Sequence, residues 1–543
     1  MFDQLGPARD QLQAALDKYY NAYSTIQGDR APRADPDAYD TELVFVSSCE
    51  RTIKRIKVAM NSARNYSSGL SPIGFLPPEI LSRIFHLMLS QPCKLPQQLS
   101  RDETSFLKYP ESLARVCTLW RRTVLSSYSL WRHIDLSPYE SVYNDVINRA
   151  EMHLERSGDL PIELHITESE YHRFGSTHGN YNDLYDFVSR ISSRVGSLEL
   201  ILADYFRDFH CAVFRRLVLG QAQNLTKLVI HSQCDRAGAF ILTESDVDSS
   251  ESDPENTNFG LNLTEDQLEK FYLGLTVVHL RGIFPRWSSV AYQGLVDLRL
   301  MSTREWSGMS AREFIPILEA NPRLQVLHFG LEIEWYIPAD EEVVPIYMED
   351  LQIIKIFTDL GLMRKPCPSK LLRLLTPGPK PLYLCFNGRY NGDDTSATEF
   401  ERFFARSKVT RFYTQGTLPP LPLLLQQAAN IELVIFDKLE CYDPSESPYA
   451  GLQVNDFTSL SHLESLHILR SKLLEHELRL LLNFCPTGIT LYSCRVECEG
   501  GGGSRTFTTL DAEALSETFP TVTIADDALS PPGDPTIDWD VVD

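Results

Sequence analysis

Covalent chemistry needs reactive side chains at fixed spacings, and this chain offers few. Cys494 and Cys498 have three residues between them, but no second Cys or His pair follows at zinc-site spacing. His210 and Cys211 are adjacent in a stretch that reads as helix, where neighbouring side chains diverge too far for a nucleophile and its base. Gly500 to Gly503 has no helix start behind it and reads as linker rather than phosphate cradle. No Gly-x-Ser-x-Gly, His-Glu-x-x-His, Walker or Gly-x-Gly-x-x-Gly pattern occurs. The sequence therefore predicts no catalytic residue, no cofactor and no metal. The chemistry it does offer is recognition by apolar and mixed-charge surfaces.

The most informative stretch is Leu76-Pro77-Pro78-Glu79-Ile80, which opens an apolar helix. Proline loses nothing at a helix entrance, where its missing N–H would be unpaired anyway, and Glu79 in the first turn suits the helix dipole. Ile80, Ile84 and Leu87 form one apolar row, with Leu81, Phe85 and Met88 beside it. A helix apolar over that much of its circumference needs two partners, one within the chain and a second that another chain can supply. Leu113, Val116, Cys117, Trp120 and Val124 share a later face, with Arg115 and Arg122 opposite and Arg121 at the edge. Leu130, Trp131 and Ile134 are then expected to close a small helical triad. Taken singly, each of these residues also suits ordinary core.

In combination, residues 71–136 resemble the F-box, in the longer form common in fungal proteins. The matching pieces are Leu76-Pro77-x-Glu79-Ile80-x-x-x-Ile84-Phe85, Leu113-Ala114-x-Val116-Cys117-x-x-Trp120-Arg121, and Leu130-Trp131-x-x-Ile134-Asp135-Leu136. The resemblance covers about an eighth of the chain. It implies docking to the Skp-type adaptor of a cullin–RING ubiquitin ligase. The residues it assigns to that contact are Leu76, Pro77, Glu79, Ile80, Ile84, Phe85, Leu87, Val116, Cys117, Trp120, Leu130 and Trp131. One departure is an insertion at roughly 91–110, whose Pro and polar content is that of a surface loop.

From residue 155 onward a pattern of the form apolar-x-x-apolar-x-apolar recurs, at Val195 to Leu200, Leu225 to Ile230, Leu275 to Leu280, Leu295 to Leu300, Leu324 to Phe329, Leu351 to Ile356, Val409 to Phe412 and Leu463 to Ile468. Weaker copies lie at Pro381 to Leu384, Ile431 to Phe436 and Ile489 to Leu491. Each reads as a short strand. Helix-like stretches lie between them, at Phe206 to Leu219, Leu263 to Tyr272, Ala311 to Ala320, Thr398 to Ala405 and Glu475 to Phe484. A strand and a helix every ~20–30 residues is the leucine-rich-repeat signature, in which stacked units share the core that one unit cannot bury. The irregular copies resemble the divergent repeat arrays that often follow an F-box. The competing fold is a doubly wound α/β domain, but no glycine-rich phosphate turn follows any strand.

In a curved array the Leu and Ile anchors point inward. The intervening Glu199, Lys227, Val229, His279, Arg299, His328, Lys355 and His467 then face the concave side, where a substrate protein is expected. Trp287, Trp306 and Trp335 either line its rim or pack between repeats.

The fold class expected is thus an α+β or α/β solenoid: N-terminal helices, a three-helix F-box, then a curved repeat array with a parallel sheet. Residues 1–70 carry two amphipathic stripes separated by a proline-bearing linker from Gln27 to Asp37, and neither runs long enough for a confident coiled coil. Residues 71–136 form the F-box-like domain, and 155–525 the repeat domain with an acidic insertion at 243–256. Residues 526–543 form an acidic tail. The net charge is −22, and these two acidic stretches contribute twelve of the negative charges. Both are expected to be disordered, having little apolar area to offset ordering. The acidic balance argues against nucleic-acid binding, and no apolar run has the length of a membrane span. Eleven scattered cysteines and an opening without signal-peptide layout predict a reduced protein of the cytoplasm, the nucleus or both.

The function expected is a non-enzymatic, substrate-recruiting adaptor that works by proximity. Two rivals stand beside it: an F-box scaffold acting outside the ligase, and an enzyme whose repeat region is a catalytic α/β domain.

Overall fold

The computed structural model describes residues 5–28, 36–65, 72–89, 110–138, 143–168, 181–203, 208–220, 224–232, 239–244, 259–302, 307–334, 344–357, 368–387, 394–415, 430–438, 463–485, 488–499, 507–509, 512–525, 536 and 539. They fall into two compact units. One comprises Met1–Gln91 with Lys108–Ser127, the other Pro92–Leu107 with Tyr128–Asp543.

The first unit is helical. Two long helices, Leu5–Gly28 and Pro36–Asn65, correspond to the two amphipathic stripes. They touch where the Tyr19 hydroxyl donates to Glu42 at 2.6 Å and the Tyr19 and Phe45 rings lie 6.4 Å apart. Neither is long and apolar enough to cross a membrane, nor is any other described helix. A 3-10 turn, Pro72–Phe75, leads into the helix Pro78–Leu89, which starts on proline as its sequence requires. A second 3-10 turn, Leu113–Arg115, precedes the helix Thr118–Ser126. The inner row of Pro78–Leu89 is buried: Leu81 and Phe85 are enclosed, and Phe85 lies 4.9 Å from the Trp120 ring. Val124 and Thr123 are buried beneath the later helix.

The second unit is mixed α/β around one fourteen-stranded sheet. Its strands are His133–Leu136, Ile162–Thr167, Val195–Leu202, Lys227–Ser232, Val277–Arg281, Asp297–Met301, Val326–Gly330, Ile353–Phe357, Leu382–Asn387, Val409–Gln415, Leu433–Asp437, Ser465–Leu469, Ile489–Tyr492 and Val522–Ala525. Every neighbouring pair is parallel, and the spatial order equals the chain order. The sheet closes into no barrel, and its order never reverses as a doubly wound sheet's does.

The alternation of each strand sets its two faces. On one face Leu198, Leu200, Leu228, Ile230, Leu298, Leu300, Leu327 and Phe329 merge into a continuous core with helix residues such as Phe187, Phe214, Phe271 and Phe314. The expected helices appear as Asp208–Leu219, Glu265–Tyr272, Ala311–Glu319, Asp394–Arg406 and Glu475–Phe484. Two are closed by capping boxes, Thr264 with Gln267 and Ser310 with Glu313. Buried Asn321 joins a helix end to its neighbour: its amide donates to the carbonyls of Tyr292 and Ile317, and its oxygen accepts from the Leu295 N–H.

Two expectations change at the start of this sheet. Leu130, Trp131 and Ile134 do not complete the helical triad; they belong to the second unit. Ile134 lies in the first sheet strand, so strand pairing begins before residue 155. Trp131 packs there, edge-on to His153 at 5.1 Å and under the Arg156 guanidinium at 4.4 Å. The insertion at 91–109 and most of the acidic insertion, 245–256, lie outside the described residues.

Candidate interaction surfaces

The first surface is built by the helix Pro78–Leu89. Its inner row is spent on Trp120, and its outer row is left in water: Ile80 is 46% exposed and Leu87 67%, with Met88 exposed as well. Pro77 and Glu79 are exposed at the entrance, with Leu76 and Ile84 half-buried. Val116, assigned to partner contact, is 58% exposed. It precedes the helix rather than lying on its face, because Cys117 is the N-cap: its sulfur accepts from the Trp120 N–H at 3.5 Å. Of the twelve residues assigned to partner contact, three are enclosed by their own chain. Phe85, Leu130 and Trp131 are each no more than 1% exposed and offer a partner nothing without rearrangement.

The second surface is the sheet face opposite the core. Register brings seven of the eight expected residues into one row, running Asp135, His165, Glu199, Val229, His279, Arg299, His328, Lys355, Cys385, Tyr413, Ile435, His467, Thr490, Thr523. Lys227 lies two residues earlier on its strand, opposite Ser197 and Val277. Glu199, Lys227, His279, Arg299 and His467 are half-buried. Their charges pair along the row. His165 meets Glu199 at 3.2 Å, while His279 and Arg299 converge on Asp297 at 3.0 and 2.8 Å. Burial opposes ionisation of Asp297, but the hydrogen bonds from His279 and Arg299 prevail and hold it at about 2.

His328 and Lys355 are not available as expected: both are buried, Lys355 to 2% exposure. The cover over Lys355 comes from the acidic tail. The Lys355 ammonium donates to the Thr536 carbonyl, and Trp539 packs with Cys385, Tyr413, Ile435 and Leu469, its ring 5.7 Å from Tyr383. Thr536 and Trp539, the described tail residues, are thus buried rather than disordered. The other residues of 526–543 lie outside the described residues; among the two described, Trp539 is a large apolar side chain that the acidic count concealed.

Beside this cluster, Asp437 accepts from the Tyr413 hydroxyl at 2.8 Å and is gripped by both nitrogens of the Arg470 fork. Trp287 packs inward against Phe284, Phe240 and Tyr292. Trp306 and Trp335 lie outside the described residues.

The sequence candidates for covalent chemistry are placed as follows. His210 is buried, 3.5 Å from Glu168. Burial pushes the Cys211 thiol up to about 11, away from nucleophilic use. The Cys494 thiol donates to the Ile468 carbonyl and is also raised by burial. A trio that sequence reading missed, His133, Asp135 and His165, brings ligating atoms within 4.8 Å of one another. Its members come from two strands, so no sequence spacing joins them; the only signal was alternate polar residues inside otherwise apolar strands.

No known family model matches the chain, and no curated protein matches it.

Proposed function

We propose that the chain is a substrate-recruiting adaptor of a Skp–cullin–F-box ubiquitin ligase, with residues 71–126 docking the Skp-type adaptor and a leucine-rich-repeat solenoid holding a protein substrate. The carrying observation is the unfinished outer row of the helix Pro78–Leu89. Ile80, Leu87 and Met88 are exposed, as is Val116, although the same helix has already filled its inner face. Completing that row with another chain's apolar side chains gains about 25 cal/mol per Å² before association costs are subtracted. The solenoid reading is supported by the parallel order, in which each strand adds next to its predecessor along the chain. Tethering then raises the local substrate concentration toward the millimolar range without chemistry in this chain.

The test is co-purification of a Skp-type adaptor and a cullin with Ile80→Asp plus Leu87→Asp. Both residues are exposed, so the fold is expected to persist while adaptor recovery falls at least tenfold. Unchanged recovery removes the ligase reading. Recovery of the adaptor without cullin redirects it to a scaffold outside the ligase.

A further inference from the structure

Among the described residues, the open face carries one cluster with the donor chemistry of a metal site. His133 and Asp135 stand two residues apart on the first strand, so both project to one face, and register sets Asp135 beside His165 on the second strand. His133 Nε2 lies 3.0 Å from Asp135 Oδ1, a separation suited to two ligands of one ion. Each candidate donor also has a charged group at its other atom. His165 Nδ1 faces Glu199 Oε2 at 3.2 Å, His133 Nδ1 faces Glu163 Oε2 at 3.7 Å, and Asp135 Oδ2 accepts from Arg149 Nη1 at 3.2 Å. Carboxylates behind the imidazoles fix ring orientation and tautomer, and this is the outer-shell pattern of metal-ligating histidines.

The imidazoles are reachable: the His133 side chain is 28% exposed and that of His165 14%. Two imidazoles with one carboxylate suit zinc-class ions and disfavour calcium and magnesium, which take oxygen ligands. Arg132 pairs with Glu163 and Arg149 with Asp135, while His165 faces Glu199.

We propose that His133, His165 and Asp135 bind one divalent transition-metal ion, with zinc as the reference ion. Three protein donors leave one position of a tetrahedral shell for a further ligand. The competing outcome is a plain ion-pair network that needs no metal.

The experiment titrates zinc alone into the metal-free, untagged full-length chain by calorimetry, with cobalt absorption as a second readout. One ion per chain is expected, with ligand-field bands of a nitrogen–oxygen tetrahedral set. His133→Gln and His165→Gln should each weaken binding at least 100-fold, and Glu199→Gln 10- to 100-fold, as loss of an outer-shell partner does. His279→Gln, in the same row, should leave it unchanged. Absence of saturable zinc binding, or binding that survives His133→Gln with His165→Gln, overturns the site. Should the variants fail to fold, the cobalt spectrum of the unaltered chain decides: tetrahedral bands support the site and their absence overturns it.

Discussion

The ammonium of Lys355 donates a 2.9 Å hydrogen bond to the main-chain carbonyl of Thr536, spanning 181 residues of chain. Lys355 sits mid-row on the sheet face opposite the core. The chain's own tail thus accepts a hydrogen bond from a buried ammonium, a group that is costly to bury without such partners.

Removing that cover should be measurable. Trp539→Ala, or deletion of 526–543, is expected to unmask Cys385, which is fully buried beside Thr536 and Trp539. Thiol labelling of Cys385 should accelerate at least tenfold, and stability should fall by about 2–4 kcal/mol for loss of a packed aromatic. Unchanged labelling would show that the tail is not what shields the face.

Asn321 should be intolerant of truncation. Asn321→Ala leaves the Leu295 N–H and the Tyr292 carbonyl without their present side-chain partner in a buried site. A loss of about 2–4 kcal/mol is expected in urea denaturation. Asn321→Asp should rescue only part of it, since a carboxylate can accept from Leu295 but cannot donate to the two carbonyls.

Arg470 combines a backbone requirement with a charge requirement. Its φ of +47° lies in the left-handed region, and its guanidinium holds buried Asp437. Arg470→Gly should therefore be less damaging than Arg470→Ala by about 1 kcal/mol, because glycine adopts that backbone without a Cβ clash. Both variants lose the ion pair. Equal thermal stability of the two would remove the backbone argument.

Acid should destabilise the second unit in two stages. Burial lowers His231 from 6.5 to about 4, so the fold resists its protonation while the unfolded chain accepts it. Its contribution is complete above pH 6.5, declines as pH falls toward 4, and is absent below. Asp297, held at about 2, contributes fully above its ordinary 3.8 and loses that contribution as pH falls through 2. Between about pH 7 and 5 the unaltered chain should lose about 1–2 kcal/mol that a His231→Gln variant does not lose. Parallel pH slopes for the two chains in chemical denaturation would contradict this.

Much of the fold was legible because strand and helix periods are local. Leu198 with Leu200, or Leu298 with Leu300, announce inward faces within a few residues, and the helices between them followed from apolar spacing. The same alternation identified Glu199, His279, Arg299 and His467 as outward residues. It could not show which neighbours would cover them. Leu130 and Ile134 were misassigned because a short apolar run fits a helical triad and a first strand equally well.

Sequence alone determined the apolar rows, the parallel repeat of strand and helix, and the proline-led helix with its surplus outer face. Tertiary structure decided what met across distance: Trp539 against Tyr383, Arg470 on Asp437, His165 between Asp135 and Glu199. The reason is physical. Periodicity records how one element divides its own faces, whereas burial and charge pairing depend on residues far away in the chain that arrive only when the sheet is assembled.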